Sequence, residues 1–218
     1  SVVFDRLPRI VRDVARRRGK QVDLNVLGSD IEVDRSIADS LDTPLLHMIR
    51  NAVDHGIEEP PHREHAGKTP AGQIQISAER LRDQVQITVA DDGAGIDPQA
   101  IRTLARTRNL IPPDRLSAMN DEDVLYAICL PGFSTAASVT DTSGRGVGMD
   151  IVNSSIEGMG GGLEISSQIG TGTTMRLHLP LTVATIRVLV VRSGGETFAI
   201  PLGSVGASLL IAAADIEQ

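Results

Sequence analysis

Aromatic side chains are nearly absent from this chain: they make up 2% of it, with no Trp. A surface that binds single-stranded nucleic acid by stacking has little to work with here. The formal charge of −7 also removes the net basic face that phosphate backbones require, so nucleic acid is not the expected partner. Cysteine is just as scarce. The lone Cys129 cannot form an internal disulfide, and it falls within the apolar spacing of Val124, Leu125 and Ile128, which assigns it to packing. No apolar run approaches the ~20 residues of a membrane-spanning helix and no secretory leader opens the chain, so it reads as cytoplasmic. The 218 residues are enough for one good core, or for one domain and part of another. The chain begins at Ser1 without Met and stops at Gln218 inside an unfinished strand pattern, which reads as a piece of a longer protein.

The densest chemistry lies in Pro44–Glu58, PLLHMIRNAVDHGIE. At about 100° per residue, Leu41, Leu45, Met48, Ile49, Ala52 and Val53 share one face, and His47, Arg50, Asn51, Asp54 and His55 share the other. Asp42 or Thr43 is the expected cap, Pro44 the first turn and Gly56 a left-handed exit. His47, Asn51 and His55 then stack one turn apart. Such a face offers an amide oxygen or carboxylate to a hard cation and donors to phosphate oxygens; an ordinary solvated helix face is the competing reading.

Around it, Ser1–Gly19 reads as an amphipathic helix with Leu7, Ile10, Val11 and Val14 inward and an arginine-rich, solvated outer face. Gln21–Val26 alternates as a strand, with Ile31–Val33 expected to pair back as a hairpin. Glu58–Gly72 reads as a loop in which His62 and His65 are surface residues. Gln73–Ala78 and Val85–Ala90 form a hairpin with one buried face, running into Asp91-Asp92-Gly93-Ala94-Gly95-Ile96. A carboxylate at a strand end, followed by glycines, can accept from an amine such as that of adenine while the backbone approaches a flat ligand. Asp97 is expected to cap Pro98–Arg108 and Asp121 to cap Glu122–Leu130, with a loop between Asn109 and Asn120. The polar run from Pro131 to Ser143 reads as a mobile lid. In SGRGVGMDI, Ser143–Ile151, alternate glycines open a helix reading Met149–Met159 (Ile151, Val152 and Ile156 inward), a place where backbone N–H groups can meet an anion. Leu163–Ser167 and Thr173–Leu181 form a further hairpin. The texture changes after Val183, and a boundary is expected at Leu181–Val183.

Five segments in fixed order, LLHMIRNAVDHGIE, DDGAGID, PGFSTA, SGRGVGMDIV and GTGTT, resemble the nucleotide-binding boxes of the superfamily of histidine kinases, type II topoisomerases, Hsp90 and mismatch-repair ATPases. Within it the set is similar to CheA-type chemotaxis histidine kinases. The resemblance implies an α/β (α+β) two-layer sandwich, a mixed sheet with helices on one face and a mobile ATP lid, followed by a truncated all-β segment. It divides the chain into a helix from an upstream dimerisation region (1–20), an ATP-binding kinase domain (21–182) and the start of a CheW-like regulatory domain (183–218).

The resemblance also implies residue roles. Asn51 would hold Mg2+, His47 would sit near the γ-phosphate of ATP, and Arg50, Asp54 and His55 would complete the phosphate side. Asp91 would accept from adenine, with Gly93 and Gly95 making room. Ser134, Thr135, Gly144, Arg145, Gly146 and Gly148 would wrap the phosphates, Met149 would lie near the nucleotide, and Thr173 would close the adenine side. The implied reaction phosphorylates a histidine on a separate phosphotransfer domain for relay to a response regulator. A homodimeric full-length protein, a CheW-like adaptor, chemoreceptors and receptor-linked membrane association come with it. None of His47, His55, His62, His65 and His178 sits in a context expected of the acceptor. Val205–Ile211, VGASLLI, departs from the acidic character usual in the regulatory domain. A conformational ATPase and a non-catalytic scaffold are the competing readings; the first is opposed by His47, which stands where such enzymes use a Glu, and the second by the full set of boxes.

Overall fold

Leu7, Val11 and Val14 recur at helical spacing, and they are residues that α1 (Leu7–Arg17) buries. Gly19, at φ +66°, closes the helix: the Lys20 N–H donates to Ala15 O and the Gly19 N–H to Arg16 O, a pairing that needs a left-handed residue. The computed structural model describes residues 4, 6–28, 31, 34–133, 148–181 and 188–201, and the chain divides into two units, Ser1–Val183 and Ala184–Gln218.

β1 (Val22–Leu27) alternates as the sequence predicts, and of the Ile31–Val33 segment expected to pair back on it, residues 32 and 33 lie outside the described residues. Ile31 lies outside any strand, and β1 instead pairs in parallel with β2 (Gly72–Leu81), Leu24 opposite Ile74. Parallel strands need a long crossover, which α2 (Arg35–Asn51) supplies. This helix starts well before Pro44, which sits inside it. Ile37 and Leu41 extend the apolar stripe of Leu45, Met48 and Ile49, all at most 3% exposed, and that burial outweighs the N–H that Pro44 cannot donate.

β2 pairs antiparallel with β3 (Gln84–Asp91), and β3 with β5 (Gly172–Pro180), whose other neighbour is β4 (Gly162–Gln168). The order β1-β2-β3-β5-β4, with one parallel pair, is the expected mixed sheet. Strict alternation puts Ile74, Ile76, Val85, Ile87, Leu177 and Leu179 on one face, under α2 and α7 (Met149–Gly158). The layer of helices therefore has one sheet face to cover, and the opposite face is polar.

Three further expectations are corrected. The loop foreseen at Glu58–Gly72 contains α3 (Pro60–His65), entered through two prolines. Asp97 does cap α4 (Pro98–Thr107), accepting from Gln99 N–H, but the following loop holds α5 (Pro113–Ala118). The cap of α6 (Asp121–Leu125) is Asn120, not Asp121, and its last turn tightens into a 3₁₀ helix at Tyr126–Cys129. A second small core joins these pieces through Ile101, Ala105, Leu116, Val124 and Phe133, and Arg102 donates to Leu116 O and Met119 O at 2.6 Å each. Cys129 packs against the core, and burial pushes its thiol up to about 12. In α7, Met149, Val152 and Ile156 face inward; Ile151, expected with them, is 37% exposed.

In the second unit, β6 (Val188–Ser193) and β7 (Glu196–Pro201) form an antiparallel hairpin through Gly194 and Gly195, both at positive φ. No helix among the described residues is long and apolar enough to cross a membrane. The lid segment from Ser134 onward, with Thr135, Gly144, Arg145 and Gly146, lies outside the described residues, as does Val205–Ile211.

The two kinds of helix position predict different costs. Leu45→Ala is expected to lower stability by about 2–5 kcal/mol in urea unfolding, whereas Ile151→Ala stays within about 0.5 kcal/mol.

Candidate functional site

The polar end of α2 does not leave by a left-handed glycine. The chain widens into a π turn, Ala52–Gly56, closed by the Ile57 N–H donating to Ala52 O at 2.7 Å, and Gly56 is absent from the positive-φ residues. The carbonyls left over by the turn are met from α1's end: Lys20 Nζ donates to Val53 O at 2.7 Å and to Asp54 O at 2.8 Å. Burial lowers the pKa of that ammonium. Beside it, Arg18 grips both Asp54 oxygens, at 2.8 and 3.2 Å, so Asp54 faces α1's terminus.

His47 and Asn51 are half-buried on α2, while Arg50 and His55 are exposed. Burial, then the positive charge of Arg50, lowers the His47 pKa, and Asp150 at the start of α7 acts in the opposite direction. The imidazole is therefore neutral at physiological pH.

Gly56 does its work through closeness. Its carbonyl accepts from Ala94 N–H at 2.9 Å, and a Cβ on Gly56 would lie 3.0 Å from Asp91 Oδ1. A Cβ on Gly93 would run into Gly56 O, and one on Gly95, at φ +73°, into Gln168 O. The turn after β3 is thus wedged between the end of α2 and the β4–β5 hairpin at backbone contact. From the hairpin side, Ser167 Oγ accepts from Ile96 N–H at 2.8 Å and lies 2.9 Å from Thr173 Oγ1, and Gly170 N–H donates to Ala94 O at 2.7 Å. Thr173, opposite Asp91 in the β3–β5 register, is 6% exposed.

Asp91 sits at the centre of this junction. Burial raises its pKa from 3.8 to about 6, and the neighbouring Asp92 and Glu58 charges add to the rise; bonds from the Gly93 and Thr173 backbones oppose it. Gly93 N–H reaches Oδ1 at 2.9 Å. Gly148, buried, stands at the N-cap of the ten-residue α7 with no side chain capping it, and Met149 is packed into the core at 6% exposure. Among the described residues no side chain caps the start of α7, and backbone N–H groups at such an N-terminus favour an anion.

The structure therefore brings together Asp91, Gly93, Gly95 and Thr173, and sets Asn51 and His47 on the adjoining helix. Sequence reading missed Arg63, Lys68, Ser167, Arg18 and Lys20. For Arg63 a signal existed: Pro60-Pro61 is a helix entry, and a helix there turns Arg63 away from its exposed neighbours. The others pair with residues distant in sequence, which no local pattern records.

This chain belongs to the histidine kinase-, DNA gyrase B-, and HSP90-like ATPase family, whose model matches residues 41–183. Within the family the similarity is to the ATPase domain of CheA-type histidine kinases. The chain is 47% identical over 203 residues to the chemotaxis protein CheA of Halobacterium salinarum, covering 93% of this chain and 30% of that protein. It is 46% identical over 207 residues to CheA of Salmonella typhimurium (95% and 30%), and 42% identical over 211 residues to the gliding motility regulatory protein of Myxococcus xanthus (97% and 27%). The chain thus spans about 30% of the length of the two CheA proteins.

The raised Asp91 pKa has a thermodynamic consequence. The folded state holds this proton more tightly than the unfolded chain, so the contribution to stability is full below pH 3.8 and lost as pH rises through about 6. Asp91→Asn removes the cost of the desolvated charge: at pH 7.5 the ligand-free variant is expected to be more stable than wild type by about 1–3 kcal/mol, and the gain shrinks towards pH 5, as read by thermal melts across pH.

Proposed function

We propose that this chain is the ATP-binding catalytic part of a chemotaxis-type histidine kinase, transferring the γ-phosphoryl group of ATP to a histidine on a separate phosphotransfer domain. The observation that carries the reading is the Asp91 carboxylate. It is desolvated at a strand end, held by a backbone N–H on one oxygen, and set in a turn whose glycines let the end of α2 and the β4–β5 hairpin close against it. A carboxylate so placed selects a ligand amine, and the exocyclic amine of adenine supplies one. Gly93 and Gly95 hold the Asp91 turn against Gly56 and Gln168, and Thr173 would close the adenine side beside Asp91.

The phosphates would run from there towards α2 and the start of α7. Gly148 N–H and the first turn of α7 would receive them, with Gly144, Arg145, Gly146, Ser134 and Thr135 closing over them. Met149 supports that turn from the core. Asn51 fits a magnesium ligand: its amide oxygen is a hard donor and its side chain makes no hydrogen bond to any described residue. One such protein oxygen is in keeping with how magnesium binds with a nucleotide's phosphates. The ion, when bound, offsets charge on the phosphate oxygens.

His47, neutral and half-buried, would donate to the γ-phosphate, with Arg50 and His55 adding charge at the rim. Asp54 would steady the π turn through Arg18 rather than touch the phosphates. In the transfer, a nitrogen of the acceptor imidazole attacks the γ-phosphorus, the bond to the β–γ bridging oxygen breaks, and ADP leaves with that electron pair. Positioning and charge neutralisation are the protein's main contributions to such a step.

The wider assignment is part of the same proposal. Residues 1–20 lead from an upstream dimerisation element of a homodimer, 21–182 form the catalytic domain, and 183–218 open a CheW-like domain that meets an adaptor and chemoreceptors. The phosphoryl group passes on to a response regulator, in the cytoplasm.

Incubation with labelled ATP, magnesium and a histidine phosphotransfer domain tests the reading: label on the acceptor histidine is expected, and ATP binding without transfer favours a scaffold. Asn51→Ala is expected to abolish transfer while keeping the wild-type melting profile, and wild-type turnover would remove Asn51 from the site. Asp91→Asn is expected to weaken ATP by about 10-fold or more while GTP is little changed, in line with the worth of a hydrogen bond to a charged group.

A further inference from the structure

Arg63 is 0% exposed, an unusual state for a charged side chain and one that persists only with full pairing. Its partners account for it. Nε donates to Thr69 O at 2.8 Å, Nη1 to Glu58 Oε2 at 2.9 Å and to Asp92 O at 3.3 Å, and Nη2 to Asp92 Oδ2 at 2.7 Å. Lys68 lies alongside, its Nζ donating to Glu58 Oε1 at 2.8 Å, Asp92 O at 2.8 Å and Gly93 O at 2.7 Å. Burial alone would raise the Glu58 pKa, but the bonds from Lys68, its own backbone and Arg63 outweigh it, and the pKa ends below its ordinary value. The remaining Asp92 oxygen accepts from Gln73 N–H at 2.8 Å.

These contacts converge on two peptide groups. A peptide unit is planar, with its C=O and N–H pointing in opposite directions, so fixing one end aims the other. The Asp92–Gly93 unit has its oxygen held by Lys68 and Arg63, and its N–H is the one that holds Asp91 Oδ1. The Gly93–Ala94 unit has its oxygen held by Lys68, and its N–H donates to Gly56 O. The first unit is clamped from behind by two cations and the second by Lys68 alone, and the N–H groups point the other way, to Asp91 and Gly56.

We propose that Arg63 and Lys68 are positioning residues for nucleotide selection: by fixing the Asp92–Gly93–Ala94 backbone, they set the orientation of the Asp91 carboxylate and the contact with Gly56, and so determine the preference for an adenine base. This rests on the nucleotide reading given above. Neither residue touches the ligand. Each acts through peptide groups that Asp91 and Gly56 use.

The test compares magnesium–ATP and magnesium–GTP affinity for the full chain by calorimetry in wild type, Lys68→Met, Arg63→Lys, Asp91→Asn and the Lys68→Met/Asp91→Asn double variant. Lys68 is partly exposed, so Lys68→Met is expected to fold where a truncation of Arg63 would threaten the core. Lys68→Met is expected to weaken ATP about 10-fold with GTP little changed, since it removes charge-assisted bonds to the turn. In the double variant the loss is expected to match that of Asp91→Asn alone, because the two act through one contact. Arg63→Lys keeps a charge but loses the fork, and an intermediate loss of discrimination is expected. Equal weakening of ATP and GTP by Lys68→Met, or full additivity with Asp91→Asn, would overturn the positioning role while leaving the site assignment intact. Absence of ATP binding in wild type, or unchanged discrimination in Asp91→Asn, would instead defeat the nucleotide reading and the proposal with it.

Discussion

A carboxylate taken out of water at the end of a strand is the constraint on which the rest of this site depends. Asp91 cannot be solvated by the protein as well as by bulk water, and its pKa of about 6 records the deficit. Two backbone N–H groups recover part of it. The glycines follow from the same requirement: Gly56, Gly93 and Gly172 each lie so close to the Asp91 turn that a side chain would displace it. A buried carboxylate kept short of partners costs stability, and in the proposed reading a ligand amine would complete what the fold leaves open.

The cost is contained by what lies behind the turn. Arg63 and Lys68 lock its carbonyls, Glu58 balances them, and Asp92 ties the same turn to β2. Such a network is worth having only when complete, because a buried guanidinium with a missing partner is far more costly than none. Here all the buried polar side-chain atoms among the described residues find partners. The acidic pair Asp91-Asp92 is thereby divided in function: one carboxylate is tied into the frame and the other remains available.

A similar economy holds at the end of α2. A π turn leaves carbonyls without helical partners, and the chain meets them from a distant segment through Lys20, while Arg18 holds the Asp54 carboxylate, both at the junction of α1 and β1. The N-terminal helix is thus joined by charge-assisted bonds to the turn that follows Asn51. On the other flank, the small core around Phe133 is braced by Arg102 and by Arg108 donating to Gly132 O and Phe133 O.

Much of this fold was legible in the residues. Period-two alternation marked β2, β3 and β5, helical spacing marked α1 and the apolar stripe of α2, and Asp91 was conspicuous as a carboxylate at a strand end before glycines. Local signals misled where burial overruled them: Pro44 looked like a helix start, but the stripe that already held Leu41 continues back to Ile37, and Ile151 looked inward beside Val152 and Ile156, but Met149 is buried with them instead. The parallel pairing of β1 with β2 joins strands separated by a whole helix, beyond the reach of any hairpin rule. By itself, then, the sequence determined which residues could form strands, helices and a nucleotide pocket, because periodicity and turn chemistry are local properties. Only the tertiary structure decided that Arg63 braces the Asp92 turn, that Asp54 belongs to Arg18, and that Lys20 meets the carbonyls of the π turn, because those outcomes are set by partners 29 to 36 residues away.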